Sequence, residues 1–148
     1  MKPYPGLSLY KNKSSGSLVI INFAVDELYG MNKAWGPMVH LTVDEFRNSG
    51  INIILDNLQG FADRDSNDGD AMSKLPRNVQ RTFDREHLLV SIRQESPSQL
   101  ICTPMHPAKP AGHIGDRSEE IVVNLPCVAE EFYSKLNAAF EKLGNPQP

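Results

Sequence analysis

The chain has 148 residues, a length that suits one domain large enough to bury its own core without disulfides or a structural metal. Its composition, 40% hydrophobic and 22% charged, excludes whole-chain disorder, and a net charge of −3 is the wrong sign for a general nucleic-acid binder. No apolar run reaches the ~20 residues of a membrane span, and the start has no stretch long enough for a secretory signal, so the expected compartment is the cytoplasm.

Residues 1–16 hold two Pro, two Gly and three Lys and read as an irregular lead-in, with room for a short edge strand at Leu7–Tyr10. Ser17–Val25 is rich in β-branched residues and reads as a strand buried on both faces. Residues 26–37 contain two Gly and one Pro and read as a connector with at most a helical turn. Trp35, the single tryptophan, is either a core anchor under that connector or a partner-binding residue.

The clearest local signal follows. Thr42-x-x-Glu45 is a capping box, in which the hydroxyl accepts from the Glu45 amide and the carboxylate reaches back. Val43, Phe46, Ile54, Leu55, Leu58 and Phe61 then recur at helical spacing, and Gly60 is a plausible stop. Gly50 falls on the apolar side, where a close approach to the sheet would compensate its low helix propensity. Residues 62–75 read as an acidic loop carrying Asp63, Asp65, Asp68 and Asp70.

Pro76–Phe83 predicts a short helix with Leu75, Val79 and Phe83 on one face, and Arg77, Arg81 and Arg85 in a solvated stripe. Glu86–Gln94 and Leu100–Thr103 predict a hairpin across the turn "ESPSQ". Residues 104–118 hold three Pro, two Gly and two His and read as a long surface loop. Glu119–Leu125 predicts a further strand. Pro126 should open a last helix burying Val128, Phe132, Leu136, Phe140 and Leu143, with Gly144 and Pro146 as its stop. The expected architecture is α+β: a mostly antiparallel sheet of four to five strands under two main helices, over residues 17–144, followed by a tail at 145–148.

Chemistry-bearing patterns fail on spacing. Counted from Asp63, an EF-hand loop would need Gly at the sixth position and Glu at the twelfth, where the chain has Asp68 and Lys74. Cys102, His106, His113 and Cys127 offer zinc-ligand atoms without the close ligand pairs of a zinc module. The two cysteines read as buried reduced thiols. There is no nucleophile elbow and no phosphate-binding glycine loop, so neither a cofactor, a metal nor a catalytic set is expected. His113 with Asp116 and Arg117 is the best remaining enzymatic candidate.

The run Ala34–Phe61, "AWGPMVHLTVDEFRNSGINIILDNLQGF", resembles the N-terminal part of bacterial immunity proteins that accompany polymorphic toxins, including contact-dependent growth inhibition systems. The shared features are an aromatic–Gly connector, the Leu41–Phe46 helix start and a glycine within a long amphipathic helix. The match covers about a fifth of the chain. It implies a cytoplasmic protein that binds the C-terminal domain of one cognate toxin, usually a nuclease, and blocks its active site. The expected chain is a monomer or weak homodimer, with no nucleic acid or membrane as partner. An acidic surface suits a basic nuclease. The expected contacts are therefore Asp63, Asp65, Asp68 and Asp70, then Glu119 and Glu120, with Trp35 as anchor. The rival readings are an adaptor subunit of a bacterial or phage assembly, and a small hydrolase using the His106–His113 loop.

Overall fold

The computed structural model describes residues 4–26, 31–64, 75–108 and 112–144. Among these, β1 (Gly6–Asn12), β2 (Leu18–Asp26) and β3 (Met31–Leu41) lead into α1 (Val43–Gln59). After α2 (Arg77–Glu86) come β4 (His87–Ser96), β5 (Gln99–Pro107), β6 (His113–Gly115), β7 (Ile121–Asn124) and α3 (Ala129–Gly144). The sheet order is β3-β2-β1-β4-β5-β6, with β7 also on β5, and every pairing is antiparallel. The class is α+β as expected; among the described residues the sheet has seven strands rather than four or five, and the third α-helix, α2, lies where the short helix was expected beside the two main ones.

The extra strands come from segments read as lead-in, connector and loop. The short edge strand expected at Leu7–Tyr10 is the longer β1, and it lies between β2 and β4 near the middle of the sheet rather than at an edge. Its Leu-Ser-Leu-Tyr alternation sends Leu7 and Leu9 into the core, while Ser8 and Tyr10 take the opposite face. The expected connector is largely β3. At this position Gly36, at φ +65°, and Pro37 are tolerated because β3 pairs only with β2 among the described strands. The register jumps from Ile20↔Val39 to Asn22↔Trp35, so β3 carries two more residues than β2 across this bulge. That jump sets Trp35 opposite Asn22.

The expected loop at 104–118 is also partly strand. β5 pairs with β7 as far as Cys102 and with β6 from Met105, and Pro104 falls at the change of partner. Gly115 permits the close crossing of β6, since a Cβ there would lie 2.7 Å from Thr103 Cγ2.

Both long helices lie on one face of the sheet. Phe46, Ile51, Ile54 and Leu58 of α1, with Phe132, Leu136, Ala139 and Phe140 of α3, close over Leu7, Leu9, Ile20, Val90, Ile92 and Leu100. The capping box forms as read, with Glu45 N donating to Thr42 Oγ1 at 3.1 Å and Thr42 N to Glu45 Oε1 at 3.0 Å. Val128 departs from its expected buried role and is 68% exposed, because α3 starts after it. Pro126 likewise precedes the helix instead of opening it. Val79 of α2 is 41% exposed, and that helix meets the strands through Phe83, whose ring stacks on His87 at 4.0 Å and meets Tyr10 edge-on at 4.9 Å. None of the described helices is long and apolar enough to cross a membrane.

Gly50 has a different cause from the one expected. An added Cβ would stand 3.0 Å and 3.1 Å from ring carbons of Phe46, one turn earlier, rather than against the sheet. That ring is buried and flanked by Phe132 and Tyr133, both with centroids 5.9 Å away. Alanine would gain about 1 kcal/mol of helix propensity, but overpacking a fixed ring costs about 1–3 kcal/mol. Gly50→Ala should therefore lower the urea midpoint by the equivalent of about 1 kcal/mol. A raised midpoint would mean that the Phe46 ring can move aside.

Candidate functional site

The end of α1 meets the β2–β3 pair at an open cleft of about 590 Å³, lined by Asn22, Trp35, Pro37, Val39, Asp56, Asn57, Gly60, Asp63 and Arg64. Its walls follow from two local features. The register jump in β3 sets Trp35 opposite Asn22. On α1, Asn57 falls between the buried Ile54 and Leu58, so a polar side chain faces the helix–sheet seam.

Arg64 closes the structure of the cleft. It follows a 3-10 turn at Phe61–Asp63, and its guanidinium donates to Phe23 O at 2.8 Å and to Asn57 O. The second contact satisfies one of the carbonyls that a helix leaves open in its last turn, and it places a cation at the negative end of the α1 dipole, a turn with no basic residue of its own. The same guanidinium sits 4.9 Å from the centroid of the Trp35 ring. Burial pushes the Arg64 pKa below its ordinary value, and among the described residues no carboxylate lies within ion-pair distance of it. Asp56 and Asp63, both exposed, stand on the rim.

Two of the expected contact residues, Trp35 and Asp63, thus share one cleft. Asp65, Asp68 and Asp70 lie outside the described residues. Glu119 and Glu120 lie elsewhere, at the β5–β6 end of the sheet, and each is engaged within the chain. Glu119 Oε1 is 2.6 Å from His106 Nε2. Both Glu120 carboxylate oxygens accept from Arg93 Nη2 at 3.3 Å, while the same guanidinium reaches Glu95 at 3.0 Å and Thr103 Oγ1 at 3.3 Å. These pairs tie the segment after β6 to β4 and β5, so much of their charge is spent within the fold.

His106 and His113, the groups of the rival hydrolase reading, lie on β5 and β6. His113 pairs across the ladder with Pro107. Asp116 accepts from the Ser118 amide and hydroxyl, which hold its pKa below the ordinary value. Among the described residues no group of three His, Cys, Asp or Glu could hold a metal ion. Cys102 is buried in the core and Cys127 is half-buried beside Glu131.

Asn22, Asn57 and Arg64 were not singled out from the sequence. The signal was present in the first two: Asn22 is the single amide in the apolar run Ser17–Val25, and Asn57 interrupts the buried stripe of α1.

The chain matches no protein-family model and no curated protein. Among solved structures it is similar to a protein of unknown function, NMB0488, from Neisseria meningitidis, with a TM-score of 0.67 over 97% of each chain at 12% identity. That likeness extends through the whole fold.

The two thiols should behave differently. Burial pushes Cys102 up to about 12, and burial followed by Glu131 also raises Cys127. A thiol reagent at neutral pH should label Cys127 slowly and leave Cys102 untouched until denaturant is added. Between the ordinary thiol pKa and about 12 the unfolded chain loses the Cys102 proton and the native chain retains it, so this group makes stability fall as pH rises through that window. Equal labelling of both thiols in the native protein would contradict this placement.

Proposed function

We propose that this chain is an immunity protein that binds the toxic C-terminal domain of a cognate bacterial toxin, a nuclease, and blocks its active site. It acts by protein–protein contact and performs no chemistry of its own. The observation that carries this reading is local: Ala34–Phe61, on which the resemblance to immunity proteins rests, supplies Trp35, Pro37, Val39, Asp56, Asn57 and Gly60, most of the lining of the cleft.

The character of the cleft supports a binding role. An aromatic ring and an arginine held against an apolar wall are the residue types in which binding energy concentrates at interfaces. Asp56 and Asp63 give the rim the sign that a basic nuclease requires, and Asp65, Asp68 and Asp70 continue that charge along the chain. Glu119 and Glu120, paired with His106 and Arg93, contribute less to the interface than Trp35 and Asp63.

The test is affinity for the C-terminal domain of a cognate toxin, sought first among the genes beside this chain's own, measured by calorimetry. Trp35→Ala should cost at least about 2 kcal/mol, a loss of roughly 30-fold. Glu119→Gln should stay within about threefold of the parent. Unchanged affinity for Trp35→Ala would remove the cleft from the interface.

A further inference from the structure

The inner end of the cleft holds Asn22, which is 3% exposed. The direction of its amide is set by the helix beyond it. A carbonyl can only accept, so Asn57 must turn Nδ2 toward Ile53 O, at 2.8 Å. Asn57 Oδ1 is then left to accept from Asn22 Nδ2, also at 2.8 Å. Asn22 Oδ1 is therefore an acceptor, and no donor meets it; among the described residues it is the one buried side-chain nitrogen or oxygen without a hydrogen-bond partner. Buried polar atoms are rarely left so, because the unmade bond is not recovered elsewhere. A donor that completes it would enter from the cleft that Asn22 lines, and a small side-chain shift would admit it, because the atom has almost no exposed surface of its own.

The surroundings narrow the donor. Trp35, Pro37 and Val39 form an apolar wall suited to a methylene stem. Asp56 and Asp63 supply two negative charges at the rim, Arg64 offsets one, and the negative end of the α1 dipole adds to the remainder. The seat for a planar cation on Trp35 is already taken by Arg64. A compact ammonium on a flexible stem fits what is left better than a second guanidinium does.

We propose that the cleft is a receptor for one lysine side chain of the partner, whose ammonium donates to Asn22 Oδ1 while its stem lies along Trp35, Pro37 and Val39. This inference rests on the protein-binding reading above.

Trp35 is the single tryptophan, so its fluorescence reports on the cleft. Nα-acetyl-lysine amide titrated into the whole chain should give a saturable change in the millimolar range. Nα-acetyl-norleucine amide, with the same stem and no charge, should bind at least about fivefold more weakly. Asp56→Asn combined with Asp63→Asn should weaken that preference and leave the norleucine response unchanged. Equal binding of the two probes, tighter binding of the arginine analogue, or a lysine preference undiminished by the double substitution would overturn the proposal. The titrations use the chain alone. A lysine preference without toxin binding keeps the receptor and removes the immunity reading; toxin binding without the preference does the reverse.

Discussion

The docking of α1 across the sheet is the constraint from which the rest of the structure follows. The helix must keep Phe46, Ile51, Ile54 and Leu58 over the strands, and the capping box fixes where it begins. With the start and the buried face both set, Asn57 has one place to go, the seam opposite Asn22. The last turn then needs a cation for its open carbonyls, and Arg64 supplies it from beyond the helix while resting on Trp35. The cleft is thus the by-product of finishing a helix at the sheet margin.

The helices were legible in the sequence because their signals are local. Thr42 and Glu45 mark a start by chemistry confined to four residues, and the apolar stripes of α1 and α3 repeat at 3.6 residues. β2 was legible too, since Leu18–Ile21 are buried on both sides of the strand. β1 was expected only as a short edge strand, and β3 and β6, which pair with their chain neighbours β2 and β5, were read as connector and loop. β1 becomes central because β4, some 80 residues later, adds to its free edge. β3 holds Gly36 and Pro37 because a bulge at the margin relieves the ladder there. Composition cannot report such partners.

The site divides in the same way. Trp35 and Asp63 stood out as residue types, but their meeting with Asn22 and Arg64 depends on the register jump between β2 and β3. Glu119 and Glu120 looked like available charge in a sequence that hides their partners; His106 and Arg93 come from other strands. A shared fold at 12% identity with the Neisseria protein fits this division, because a sheet under two helices asks for apolar patterning more than for particular residues.

What the chain does in a cell is the central claim, and protection from a toxin tests it most directly. A susceptible bacterial host would express a candidate cognate toxin C-terminal domain, with and without the chain. The account predicts that growth stops with the toxin domain alone, is restored by this chain, and is not restored by an immunity protein from a different toxin pair. Continued growth arrest with the intact, folded chain present would contradict it.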